Sequence, residues 1–307
     1  MLVFASPSHP PQVWLGALRR HLPDLACRVW PDVPEPDKVA FALVWQPPPG
    51  LLRRFPNLKA IFSTGAGVEH ILADPELPDV PVVKAVDRLL TKGMSEYVLL
   101  HVLRQHRRLG TLQAAQAERR WIEFSTPDTP ATTVGIMGLG TLGGEAARLL
   151  AELGFRVTGW SRTRKSLPGI TCFHGPDQLD AFLRGTDHLV CLLPLTAETR
   201  GLLNHRTLAL LRPGAYFINA GRGPIVVEAD LLAALDSGGL AGATLDVFDT
   251  EPLPSKHPFW RHPKVLVTPH NASDSVAETI TAEIAANIRR LRAGAPLRHV
   301  VSRTQGY

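Results

Sequence analysis

One stretch limits what this chain can fold into more than any other: "TVGIMGLGTLGGEAARLL", residues 133–150. An apolar strand pattern runs into Gly138-x-Gly140-x-x-Gly143 and then directly into a helical pattern. The three glycines have separate tasks. The first permits a tight turn, the second lets backbone approach a pyrophosphate, and the third lets helix and strand pack closely. A helix that opens at such a turn aims unpaired N–H groups and its positive dipole end at phosphate. The same glycines can mark a tight turn without a ligand. The strand before and the helix after favour a dinucleotide loop, with Gly138, Gly140, Thr141, Leu142 and Gly143 as its contacts.

The rest of the chain repeats this alternation of short apolar runs with longer amphipathic ones, the pattern of an α/β protein. "LVFAS" (2–6), "CRVWP" (27–31), "FALVWQ" (41–46), "LKAIFST" (58–64) and "VPVVKAV" (80–86) read as strands of a first, compact unit. From 133 onward six strand patterns with interleaved helices predict a doubly wound parallel sheet. A final helix, about 275–294, returns the chain to the first unit. The expected fold is therefore α/β with two domains, a Rossmann dinucleotide-binding domain and a smaller flavodoxin-like substrate-binding domain. The boundaries fall at 1–97 plus 275–307 and at 98–274. The 307 residues suffice for both. Residues 95–123, rich in helix formers, read as a connecting helix and arm, and "FSTPDTPAT" (124–132) as a reset of the chain.

The net charge of +5 admits two partners, nucleic acid or small anions. The arginines are dispersed, and no block of cations interleaved with aromatics stands out, which disfavours nucleic acid. Three widely spaced cysteines, Cys27, Cys172 and Cys191, offer no disulfide framework and point to a reducing, cytoplasmic setting. The twelve histidines form no HxH, HExxH or His/Cys cluster, so no metal is expected. The N-terminus reads as a first strand, and no run reaches the length of a membrane span.

About twenty residues past the glycine loop, a chain that binds NAD usually places a carboxylate on the ribose hydroxyls. Here the strand "FRVTGW" is followed by "SRTRK". Guanidinium groups bind a 2′-phosphate through charged, bidentate hydrogen bonds, and a carboxylate would repel it. Ser161, Arg162 and Arg164 thus predict a preference for NADP(H), with NAD(H) possible; a solvated basic turn is the bland alternative. Three further residues follow the last three strands. Arg222 comes after "AYFINA", Glu251 after "GATLDVF" and His270 after "KVLVT". Side chains after neighbouring parallel strands emerge along one edge, where ligands bind. An arginine can hold a carboxylate and polarise a carbonyl. A histidine can deliver a proton near neutral pH, and a carboxylate can orient it and raise its pKa. That set suits hydride reduction of a 2-oxo acid.

"GLGTLG", "LLPLTAETRGLLN", "INAGRGPIVVEADLLAALDSG", "LDVFDTEPLP" and "VTPH" together resemble the D-2-hydroxyacid dehydrogenases over the whole second domain. "ALVWQPPP", "GAGVEHIL", "WSRTRKSLPG" and the terminal "RTQGY" are similar to the NADPH-preferring reductases of glyoxylate and hydroxypyruvate within that family. The resemblance implies Arg222, Glu251 and His270 as the catalytic set. It implies Leu193, Pro194 and Thr199 beside the adenine, and Ala220 and Asp246 at the cofactor, Asp246 on the nicotinamide carboxamide. Backbone N–H groups of Ala66, Gly67 and Val68 would hold the substrate carboxylate, and Trp45 would wall the pocket. A homodimer through 95–123, presenting Trp121 to the partner, also follows from it. Two stretches depart from the pattern, "NASDS" after "TPH" and the shortened "DRLLTKGMSEY". Both leave open a different 2-oxo acid. A dinucleotide-sensing protein without turnover is the reading from another class.

Overall fold

The computed structural model describes residues 1–125 and 127–306. Thr126, within the "FSTPDTPAT" reset, and Tyr307, the end of "RTQGY", lie outside the described residues. The chain divides into two compact units, Met1–Leu90 with Asp274–Tyr307, and Thr91–Ser273. The first crossing lies seven residues earlier than the boundary expected at 97/98, and the second falls between 273 and 274.

In the first unit, β1 (Leu2–Ala5), α1 (Pro11–His21), β2 (Cys27–Val29), β3 (Phe41–Val44), β4 (Ala60–Ser63), α2 (Glu69–Leu72) and β5 (Val82–Val83) follow one another. They build a parallel sheet in the order β2-β1-β3-β4-β5. Alternate residues point to opposite faces of a strand, and both faces here are apolar. Leu2, Phe4, Leu43 and Phe62 pack with α1 and with the helix Ala277–Arg292 through Leu18, Ile284 and Ile288. Val3, Ala42, Val44 and Ile61 pack on the other side with Leu52 and Ile71. Burial on both faces explains why these strands read as unbroken apolar runs.

The second unit opens on α3 (Arg88–His106), which crosses the boundary, and α4 (Leu109–Ala117). The connecting helix and arm expected over 95–123 are thus two helices, the first beginning earlier, at Arg88, and the second ending at Ala117. Asp87 caps α3 by accepting the N–H groups of Leu89 and Leu90, so "DRLLTKGMSEY" is mostly helix. The break falls where Arg108 takes a positive φ of 51°.

The sheet that follows contains β6 (Thr133–Met137), β7 (Arg156–Ser161), β8 (Thr171–His174), β9 (His188–Cys191), β10 (Ala215–Asn219), β11 (Leu240–Leu245) and β12 (Val265–Val267). Its helices are α5 (Thr141–Glu152), α6 (Leu179–Arg184), α7 (His205–Leu208) and α8 (Glu228–Asp236); α9 is the Ala277–Arg292 helix of the first unit. The order β12-β11-β10-β9-β6-β7-β8 is parallel throughout. It reverses direction between β6 and β9, the switch point at which such sheets bind dinucleotides. The sheet has one strand more than the six expected. The extra strand, β8, is a four-residue edge strand whose residues are exposed or half-buried, so it carries no apolar run.

Candidate active site

The loops that leave β6, β7, β9 and β10 meet at the switch point. Gly138 holds a φ of +102°. A Cβ on Gly143 would stand 1.9 Å from the Gly138 carbonyl oxygen, so only glycine lets α5 start this close to the strand. At Gly140, by contrast, a Cβ would meet no protein atom within 4 Å. The loop thus encloses open space beside the first N–H groups of α5, those of Thr141, Leu142 and Gly143, which have no partner within their helix. This is the cradle a pyrophosphate fits. Leu193 and Ala220 are buried at its side, and the Ala220 N–H donates to the Cys191 carbonyl. The Thr199 hydroxyl braces its own loop, donating to the Pro194 carbonyl at 2.7 Å and accepting from the Thr196 N–H.

The Gly138 N–H donates to the Trp160 carbonyl at 2.8 Å, which seats the glycine turn beside the end of β7. Ser161 is buried there, and its hydroxyl donates to the Thr163 carbonyl at 2.8 Å. Arg162 is half-buried, and Arg164 and Lys165 are exposed. The Glu198 carboxyl lies below its ordinary range, first through the Thr196 hydroxyl and, less strongly, through the Arg162 charge. A cation therefore stands within electrostatic reach of the 193–199 loop, and no acid follows β7 directly. These residues fit a dinucleotide that carries a phosphate on its adenosine ribose.

At the far end of the sheet, Arg222, Glu251 and His270 follow β10, β11 and β12. Gly223 makes this edge compact. A Cβ there would stand 1.8 Å from the Phe248 carbonyl carbon, so the chain after Arg222 lies directly on the chain that leads to Glu251. The Glu251 carboxylate accepts the Phe248 N–H through Oε1 at 2.9 Å and lies 2.6 Å from His270 Nδ1 through Oε2. Nδ1 is thus committed to Glu251, which leaves Nε2 as the other ring nitrogen for chemistry. The Arg222 guanidinium donates to the Gly221 carbonyl at 2.7 Å.

The electrostatics follow from these contacts. His270 is raised above the ordinary imidazole range, chiefly by its hydrogen bond to Glu251; burial opposes this, the Glu251 and Asp246 charges add to it, and Arg222 opposes it. Burial acts to raise Glu251, but the His270 and Phe248 hydrogen bonds and the His270 and Arg222 charges outweigh it, so its carboxyl ends below its ordinary value. The pair therefore keeps imidazolium beside carboxylate to a higher pH than an isolated imidazole would.

His270 also holds a φ of +52°. A side chain other than glycine held there costs about 1–3 kcal/mol and persists only where its surroundings fix it. The surroundings are Asp246, which is buried at the end of β11. Its carboxylate accepts the Thr268 hydroxyl at 2.6 Å and the N–H groups of Asn271 and Ala272 at 3.0 Å each, and its carbonyl accepts the His270 N–H at 2.8 Å. Sequence reasoning missed Thr268 and Tyr97, whose hydroxyls lie 2.7 Å apart. Thr268 lies inside "VTPH", but nothing in that motif gives it a role, Tyr97 stands in no motif, and only the packing of α3 on the sheet brings the two together.

In the first unit, Trp45 follows β3 and is half-buried. Its ring packs against Gly65, where a Cβ would come within 2.4 Å of Cζ3, and meets the His70 ring edge-on at 4.4 Å between centroids. The Ser63 hydroxyl donates to the Gly67 carbonyl and accepts the Gly65 N–H, each at 3.2 Å, which fixes the turn through Ala66 and Gly67. Val68 is 2% exposed and part of the core. Trp121 is 90% exposed and donates to Glu123. Among the described residues no group of three His, Cys, Asp or Glu side chains stands together as a metal site, and no helix is long and apolar enough to cross a membrane.

Comparison with known proteins places this geometry. Residues 99–272 match the NAD binding domain of the D-isomer specific 2-hydroxyacid dehydrogenases. The chain is 43% identical over 313 residues to glyoxylate/hydroxypyruvate reductase A of Serratia proteamaculans, covering 100% of this chain and 99% of that one. Among solved structures it is similar to a D-isomer specific 2-hydroxyacid dehydrogenase from Xanthobacter autotrophicus Py2 in complex with NADPH and MES, with 48% identity, a TM-score of 0.96 and coverage of 100% and 99%. An NADPH-dependent glyoxylate/hydroxypyruvate reductase from Sinorhizobium meliloti, in complex with NADP and sulfate, shares 43% identity at a TM-score of 0.94, again covering 100% and 99%. The chain belongs to the D-isomer specific 2-hydroxyacid dehydrogenase family and is an NAD(P)-dependent oxidoreductase.

Proposed function

We propose that this chain reduces glyoxylate to glycolate and hydroxypyruvate to D-glycerate, with NADPH as the preferred cofactor. The observation that carries the reading is the Glu251–His270 pair, 2.6 Å apart, with the Arg222 charge acting on both. The similar proteins from Serratia and Sinorhizobium bear these substrates in their names.

When bound, NADPH supplies a hydride. The chain's own residues do the rest. Arg222 binds the substrate carboxylate and polarises the 2-oxo group. His270 holds a proton and gives it to the carbonyl oxygen, so that hydride at carbon and proton at oxygen complete the 2-hydroxy acid. Glu251 keeps the imidazole oriented and charged. The α5 N-terminus, from Gly138 through Gly140, Thr141 and Leu142 to Gly143, holds the pyrophosphate. Arg162, with Ser161 and Arg164, holds the 2′-phosphate. Leu193, Pro194 and Thr199 lie along the adenosine half, and Ala220 and Asp246 along the other. In the first unit, the backbone N–H groups of Ala66, Gly67 and Val68 and the ring of Trp45 are the proposed substrate contacts.

The second copy of a homodimer would cover Leu100, Leu103, Leu109, Leu112 and Trp121, which leave α3, α4 and the segment beyond them exposed and apolar. Light scattering of the wild type and of Leu112→Glu tests this: a dimer that becomes monomeric supports it, and a monomeric wild type refutes it. A reducing, cytoplasmic setting is proposed from three free thiols, two of them buried.

The experiment for the reaction is NADPH and NADH oxidation with 2-oxo acids of increasing chain length. Turnover of glyoxylate and hydroxypyruvate with NADPH is the expected result. Turnover only of longer acids, or equal use of NADH, gives the neighbouring activity in the family. Cofactor binding without any turnover gives the sensor.

A further inference from the structure

We infer that Tyr97, Thr268 and Asp246 are positioning residues for His270, joined in one buried hydrogen-bond string that holds the 268–272 loop in the shape the general acid needs. The inference rests on the function proposed above.

The string has a single sense. Thr268 spends its one hydroxyl proton on Asp246 Oδ1, at 2.6 Å. The Tyr97 hydroxyl, 2.7 Å from the same Thr268 oxygen, must then be the donor of that pair. Asp246 also takes the N–H groups of His270, Asn271 and Ala272. Residues on both sides of the positive-φ position are thereby tied to one carboxyl-bearing residue, itself 1% exposed. The start of the string is equally fixed. Tyr97 is 8% exposed on α3, with its ring 4.2 Å from that of His101.

Three of the four lone-pair directions of the Asp246 carboxylate are therefore occupied by the acid's own loop. Its first duty is to that loop, with any cofactor contact using what remains. The charged groups that act on His270 are Glu251, Arg222 and Asp246. A loosened loop would weaken the Glu251 contact and let the imidazole drift down toward its ordinary range.

The test compares wild type, Thr268→Val, Thr268→Ser and Tyr97→Phe. The His270 ring is titrated by NMR in the cofactor-free protein, kcat and KM are measured with glyoxylate, and NADPH affinity is measured by fluorescence. Thr268→Val should lower kcat about tenfold, the equivalent of one lost buried hydrogen bond, and move the His270 titration to lower pH, with NADPH affinity within about twofold. Thr268→Ser should restore both. Tyr97→Phe, which removes a single oxygen, should show the same pattern at about threefold and carries the test if Thr268→Val does not fold. An unchanged His270 titration in Thr268→Val and Tyr97→Phe overturns the inference. So does a loss confined to NADPH affinity, which would make the string part of the cofactor site. A wild type that reduces no 2-oxo acid refutes the proposed function instead, and the titration still decides the positioning role.

Discussion

The two ends of the second sheet use charge in opposite ways. Beyond β11 and β12, Glu251 and His270 touch at 2.6 Å, Gly223 packs directly on Phe248, and the backbone of His270 is pinned by Asp246. At the end of β7, Ser161 is buried and its hydroxyl donates to the Thr163 carbonyl, but Arg164 and Lys165 are exposed to solvent. The first arrangement places a proton at a defined atom. The second places positive charge in a region. Chemistry that moves a proton depends on distance and orientation, whereas binding of a phosphate tolerates long, mobile side chains. Damage at the first end should therefore fall on turnover, and damage at the second on cofactor affinity and choice.

The largest effect should come from His270→Ala. Loss of a general acid typically costs about 10²–10⁴ in rate, so kcat for glyoxylate should fall within that range while NADPH affinity holds. Stopped-flow oxidation of NADPH together with a binding titration separates the two, and equal losses in both would erase the contrast between the ends. Arg162→Ala comes next. One charge-assisted contact to phosphate contributes about 1.5–3 kcal/mol, so the KM for NADPH should rise about tenfold or more, with the KM for NADH nearly unmoved. Equal rises for both cofactors would show the turn to be an ordinary solvated surface. Arg164→Ala should be the mildest. From its exposed position it should alter the KM for NADPH by about twofold at most, and added salt should cancel the difference. A larger effect would mean that the turn is as precisely built as the acid end.

The same contrast governs how much was legible in the sequence. Strand–glycine–helix and the residues that follow β10, β11 and β12 are local patterns, and parallel-sheet topology turns them into neighbours. Arg222, Glu251 and His270 could be placed on one edge for that reason. Asp246 was visible as a residue but not as the anchor of the His270 loop, because its partners at 268, 271 and 272 come from another strand end. Tyr97 stands in no motif and Thr268 was read only as part of "VTPH", since a hydroxyl gains its role from what it packs against. The helix that starts at Arg88 was obscured by Gly93 and by Lys92, which weaken the apolar periodicity, and its cap, Asp87, was not recognised. In the first unit β5 is only two residues long, so "VPVVKAV" overstated a strand that ends at Val83. The edge strand β8 escaped because half-exposed residues leave little apolar signal.

The pH dependence of kcat for NADPH-driven glyoxylate reduction, in wild type and in Glu251→Gln, tests the central claim most directly. His270 must carry its proton to act, and its folded value is raised chiefly by Glu251. Turnover should therefore fall as the pH rises through that raised value, above the ordinary imidazole range. In Glu251→Gln the main cause of the elevation is gone, so the fall should come at lower pH and from a lower plateau. An alkaline limb that stays in place when Glu251 is neutralised would contradict the account, because the proton would then come from a group other than His270.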